Sequence, residues 1–181
     1  ASLDACSVTV NAGAAVTFLT GHSLRVGENI TVNATGSLTI DSGAALVQYT
    51  KHAVNTGNVI VKRNSTNMIH NDYTAWSSPV ANQNLLAFSP NTLTNRFYQY
   101  LFTGTTTPTA YQSVVPSTNT FTLAKGYMIR VNNNWTLTPA VYNGQFTGTP
   151  YNGTITYAVG QGYNLLGNPY ASPISAYRFL I

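Results

Sequence analysis

The sequence predicts an all-β chain in two parts. Residues 1–62 read as a short three-sided parallel β-helix of 22-residue coils, and residues 63–181 as an antiparallel, aromatic-rich β-sandwich. Three observations predict this. Apolar pairs two residues apart recur at a fixed offset between Val8 and Leu46. Both tryptophans and eleven of the twelve tyrosines lie at or beyond Tyr73. All eight prolines lie at or beyond Pro79, too closely spaced for long helices.

Sliding the chain by 22 residues places Val8 on Ile30, Val10 on Val32, Val16 on Leu38, Phe18 on Ile40 and Leu24 on Leu46. Within one period the apolar pairs 8/10, 16/18 and 24/26 mark three short strands, since alternate strand residues share a face. One coil cannot bury its inward face alone, and stacking like on like gives a continuous aliphatic core. Gly13, Gly21, Gly27, Gly36 and Gly43 fall between the pairs, where tight corners call for positive φ. Val54 and Ile60 continue the register into a third coil that His52 and Lys62 break, which reads as the end of the stack. An evenly spaced antiparallel sandwich is the competing reading of the same stretch.

Beyond residues 62–67 the composition changes. The segments "NLLAFS", "NRFYQYLF", "TFTLAKGYMIRV", "NWTLTP", "GTITYAVG" and "GYNLLGNPY" read as short strands between turns.

The composition bounds the function. Of the 181 residues 44% are apolar, but only 7% are charged, against roughly a quarter in ordinary soluble domains. Solubility therefore rests on Asn, Thr, Ser and Gly, which suits an outward-facing β surface. The net charge of +4 is spread thinly, without the basic stripe a nucleic-acid groove needs, so no nucleic-acid partner is expected. No run of about 18 apolar residues and no basic-then-apolar leader is present, so neither membrane insertion nor a signal peptide is expected. The apolar ending "AYRFLI" suggests an excised fragment. The single cysteine, Cys6, reads as a small buried hydrophobe.

Catalytic constellations are sparse. The acids are Asp4, Glu28, Asp41 and Asp72, and Glu28 and Asp41 fall at expected corners. Among His22, His52 and His70 only His70 has an acid close by, Asp72, and "IHNDY" lacks a nucleophile and a second histidine. There is no nucleophile elbow, phosphate loop or calcium-binding repeat. No catalytic residue, cofactor or metal is expected, and the chain reads as non-enzymatic. A lyase-like β-helix would need charges gathered on one face, and Arg25 and Glu28 are the only ones on the two regular coils before Asp41.

Binding has more support. Thr9 over Thr31 and Thr17 over Thr39 are candidate surface ladders, since they sit between inward pairs. Trp135, Tyr142 and Tyr151 are candidate glycan contacts, whereas Trp76 reads as core. Five Asn-x-Ser/Thr triplets begin at Asn29, Asn33, Asn64, Asn134 and Asn152.

The succession "GSLTIDSGAALVQ", "TGNVIVKRN", "DYTAWSSPV", "LLAFSPNTLTNRFYQY", "LAKGYMIRV", "FTGTPYNGTITY" and "GYNLLGNPYASPI" resembles a segment of large secreted cell-surface proteins of gliding Bacteroidota-type bacteria. Those proteins leave the cell through the type IX secretion system. The resemblance covers nearly the whole chain from Val8. It implies an extracellular, surface-attached structural or adhesive module whose partners are the secretion machinery or neighbouring domains of a larger chain, with self-association or surface polysaccharide as further candidates. The C-terminal sorting domain of such proteins is missing here. The alternative is a carbohydrate-binding module of a secreted polysaccharide-degrading enzyme.

Overall fold

A computed structural model describes residues 2–101, 111–160 and 162–179, and they form an all-β fold with aromatic-rich sheets. The first seven strands are β1 (Ser2–Ala5), β2 (Val8–Val10), β3 (Ala15–Phe18), β4 (Ser23–Val26), β5 (Ile30–Val32), β6 (Ser37–Ile40) and β7 (Ala45–Gln48). All of their pairings are parallel. Val8 lies beside Ile30, Val16 beside Leu38, Phe18 beside Ile40 and Leu24 beside Leu46, at the 22-residue offset of the sequence repeat. β1 joins β4 one residue short of that offset, Leu3 beside Leu24. The inward side chains Val10, Leu24, Val26, Ile30, Leu38 and Ile40 are buried.

The corners repeat with the strands. Gly21 and Gly43 both have φ of 80°, and Gly13, Thr35 and Gly57, spaced 22 apart, have φ of 76°, 65° and 79°. Gly36 serves differently from the expectation: its φ is ordinary, but a Cβ there would lie 2.7 Å from the Asn11 carbonyl oxygen, so close stacking of coils excludes a side chain.

The segment expected as a third coil departs from the expected register. In β8 (Val59–Met68), Val59 pairs with Leu38 and Val61 with Ile40, so Ile60 opposes Thr39. The slip of one residue exchanges faces: Val59 and Val61 are fully buried, and Val54 is exposed. β8 closes one ladder, while Thr56 closes a second by exchanging backbone hydrogen bonds with Ile30 and Val32 at 2.9 Å each. Ala171 accepts from Leu46 N on the third, also at 2.9 Å.

β8 runs unbroken through residues 62 and 63, the expected boundary. Its far side pairs antiparallel with β13 (Ala140–Gly148), giving a mixed sheet in the order β13-β8-β6-β3. A second sheet is antiparallel throughout, in the order β11-β10-β12-β9, from β9 (Tyr73–Trp76), β10 (Phe97–Tyr100), β11 (Tyr111–Ser113) and β12 (Tyr127–Arg130). Its inner face buries Trp76, Phe97, Tyr127 and Ile129. Trp76 lies 6.2 Å from Phe146 of β13, which stacks on Phe88 at 4.5 Å and meets Phe121 edge-on at 5.5 Å. The aliphatic side chains of the coils and this aromatic group belong to one contiguous core.

Several expected strands take other forms. "NLLAFS" folds as a single helical turn, α1 (Leu85–Phe88), because the Asn84 side chain caps it by accepting from Ala87 N at 2.9 Å. Pro90 prevents its continuation. "NWTLTP" forms a turn in which Trp135 N donates to Asn132 O. "GTITYAVG" and "GYNLLGNPY" are irregular, the latter touching a neighbour through a Lys125–Leu166 bridge. A last turn of helix, α2 (Ala176–Phe179), follows.

Candidate functional site

The threonine ladders form at the expected registers with unequal exposure. Thr9 pairs with Thr31, and Thr56 adds a third rung, its hydroxyl 3.3 Å from that of Thr31. Thr9 and Thr56 are exposed and Thr31 half-buried. Thr17 pairs with Thr39, but Thr39 is only 9% exposed. β6 is an interior strand, flanked by Thr17 of β3 and Ile60 of β8, and these neighbours take the place of solvent. The second ladder therefore presents Thr17 alone.

The candidate glycan contacts do not form a row. Trp135 is half-buried, donates from Nε1 to Met68 O at 3.0 Å, and tilts against Tyr142 at 5.6 Å. Tyr142 is also half-buried, with its hydroxyl bonded to Phe88 O at 3.1 Å and Ser89 Oγ at 2.9 Å. Burial pushes the Tyr142 phenol above its ordinary pKa, and the Ser89 hydrogen bond opposes this. Both side chains are committed to internal partners. Tyr151 lines an open cleft of about 430 Å³ between residues 46–51 and 151–155, apart from the other two. Trp76 lies in the core, as its sequence context indicates.

The ionisable side chains lie dispersed. Asp72 caps a turn, its carboxylate accepting from Ile69 N at 2.8 Å, and the His70 backbone N–H binds Thr136 O. Asp41 pairs with Lys62 at 2.9 Å and Asp4 with Arg25 at 4.0 Å. Among the described residues, no three of His, Cys, Asp and Glu gather closely enough to hold a metal, and no helix is long and apolar enough to cross a membrane. Cys6 is exposed, contrary to the sequence expectation, because it sits on the bend between β1 and β2, each a terminal strand among the described residues.

Two further surface features stand out. Among the described residues β1, β2 and β3 are each terminal strands of their sheets, with Leu3, Val16 and Leu19 exposed. On the other side of the parallel strands lie β8, Thr56 and Ala171. The other feature is the outer face of the β11-β10-β12-β9 sheet, where Tyr73, Tyr98, Tyr100 and Tyr111 share one side with Arg96 and Arg130. The alternation of Arg96, Tyr98 and Tyr100 in "NRFYQYLF" was its available signal.

Searches of curated proteins and of solved structures return no match. A family model described as a domain of unknown function (DUF8693) matches residues 2–181, and the chain belongs to that family.

Proposed function

We propose that the chain is a non-catalytic, extracellular structural and adhesive module of a larger secreted bacterial cell-surface protein. In this reading residues 1–62 are a short three-sided parallel β-helix and residues 63–181 a β-sandwich-like domain that covers one of its ends. The observation that carries it is the ladder of identical registers, Val8 on Ile30, Val16 on Leu38 and Leu24 on Leu46, joined without interruption through β8 to the aromatic core. Backbone groups paired along a stack make a stiff spacer, and the low content of charge leaves a surface of Thr, Asn and Ser. Export through the type IX system belongs to the same proposal and rests on the resemblance of the seven sequence phrases.

Protease shaving of intact source cells, with intact mass spectrometry and peptide mapping of the released protein, tests this reading. The expected result is release of peptides from this chain without lysis, joined to further domains in a longer polypeptide. A protein that is recovered only after lysis overturns it.

A further inference from the structure

We propose that the outer face of the β11-β10-β12-β9 sheet binds an acidic polysaccharide, sugar rings resting on the tyrosines and a carboxylate or sulfate group held by Arg96 and Arg130. The inference deepens the adhesive reading above and rests on it.

The strand registers place these side chains together. Arg130 lies beside Tyr73 on β9, and its N–H donates to Arg96 O on the other flank, so Arg96, Arg130 and Tyr73 form one row across three strands. Two residues along β10, Tyr98 leads the next row, and Tyr100 opposes Tyr111 beyond it. The Tyr73 and Tyr98 rings are 5.9 Å apart and the Tyr100 and Tyr111 rings 5.5 Å apart. Three inter-strand steps of roughly 4.8 Å make the face about 14 Å wide from β9 to β11. Tyr73 and Tyr111 are exposed, and Tyr98 and Tyr100 are half-buried.

Among the described residues no acidic side chain answers the charge on this face. Arg130 is 8% exposed and is held by two neutral amides, Asn71 Oδ1 at 2.9 Å and Asn133 Oδ1 at 3.1 Å. Arg96 donates from Nη1 to the Tyr98 hydroxyl at 3.5 Å. The Nε atoms of both arginines are buried without a hydrogen-bond partner. All four acidic side chains are engaged elsewhere: Asp4 with Arg25, Asp41 with Lys62, Asp72 with Ile69 N, and Glu28 with Thr50 Oγ1. Two arginines on one row of the sheet, neither paired with an acidic side chain among the described residues, fit a planar or tetrahedral anion, which Arg binds through paired N–H groups. Tyrosines supply flat, amphipathic surfaces with low conformational cost. A nucleic acid fits less well, because its affinity comes from many phosphate contacts and this face offers two cations at one end.

Affinity electrophoresis of the whole chain tests this, in gels containing polygalacturonate, dextran sulfate, or neutral dextran, with a single-stranded oligothymidylate in a parallel shift assay. Retardation by polygalacturonate or dextran sulfate and not by dextran is expected, and the polymer giving the stronger effect identifies carboxylate or sulfate as the anion. Arg96→Gln and Tyr98→Ala should each weaken binding about tenfold, the scale of one charge-assisted hydrogen bond or one aromatic contact. Arg178→Gln, which removes the same charge from the terminal helix, should leave it unchanged. Both test variants avoid the buried Arg130, and their unfolding midpoints confirm folding. No retardation by either acidic polymer overturns the proposal. So do equal losses in all three variants, equal binding to dextran, or tighter binding to the oligonucleotide. Surface exposure of the chain without polysaccharide binding leaves the structural module intact and removes only this ligand.

Discussion

Gly13 and Thr35, 22 residues apart, occupy equivalent turns after β2 and β5, at φ of 76° and 65°, and the Thr35 hydroxyl accepts a hydrogen bond from Gly13 N at 3.1 Å. A β-branched residue in the left-handed region is strained by roughly 1 kcal/mol, so this hydrogen bond and the stacking around it hold an unfavourable backbone. Thr35→Asn keeps a side-chain acceptor and relieves the branching, and should raise stability by about 0.5–1 kcal/mol in urea unfolding. Thr35→Val keeps the strain and loses the acceptor, and should lower it by about 1 kcal/mol. The reverse order would show that the corner is not under strain.

Asn55 joins the parallel strands β5 and β7 to the later part of the chain. Its Oδ1 accepts from Ile30 N at 3.0 Å and Gln48 Nε2 at 2.9 Å, while Nδ2 donates to Gln48 Oε1 at 2.8 Å and Pro150 O at 3.1 Å. Ile30 is buried, so Asn55→Ala strands an N–H that has little access to water. A loss of about 2–3 kcal/mol is expected, with a lower thermal midpoint. A loss below about 0.5 kcal/mol would place water at Ile30 N and refute this role.

How much of this was legible follows from what each residue answers to. Val8, Val16 and Leu24 announce their partners because parallel stacking sets like residues on like at one offset. β8 hides its register, because Val59, Ile60 and Val61 are all acceptable inward residues and only pairing with β6 selects between them. Trp76 reads correctly as core. Trp135 and Tyr142 do not declare that each spends its polar atom on a backbone carbonyl, since Met68 and Phe88 lie far away in sequence. For Arg96, Tyr98 and Tyr100 alternation gives a shared face, but which face is outward depends on Phe97 finding the aromatic core.

Phe146 is fully buried between Phe88, Phe121 and Trp76, whereas Trp135 packs on one tyrosine at the surface. Phe146→Ala should cost about 3–5 kcal/mol, because the surrounding rings are too rigid to fill the space. Trp135→Phe should cost about 1 kcal/mol, mainly the hydrogen bond to Met68 O. Equal effects in chemical denaturation would contradict the placement of the core.

Tyr142 makes stability depend on alkaline pH. Burial raises its pKa above the ordinary 10.0, so the folded chain holds the phenolic proton more tightly than the unfolded chain. Its contribution is complete below pH 10 and is lost as pH rises through the folded value. Burial raises Tyr151 as well, which adds in the same direction, although that side chain is more open to screening. Lys125 opposes them: burial lowers its pKa below 10.5, so its charging penalty disappears as pH rises through that range. Burial raises Tyr73 in the same direction as the other two tyrosines, and Tyr142 is the one tied by two hydrogen bonds to Phe88 and Ser89. Tyr142→Phe should cost about 1 kcal/mol at pH 8 through the lost bonds to Phe88 O and Ser89 Oγ. Above pH 10 the gap between variant and parent should narrow, measured as urea midpoints at pH 8, 9, 10 and 11. Parallel curves across that range would mean that the Tyr142 hydroxyl ionises in the folded state as freely as in water.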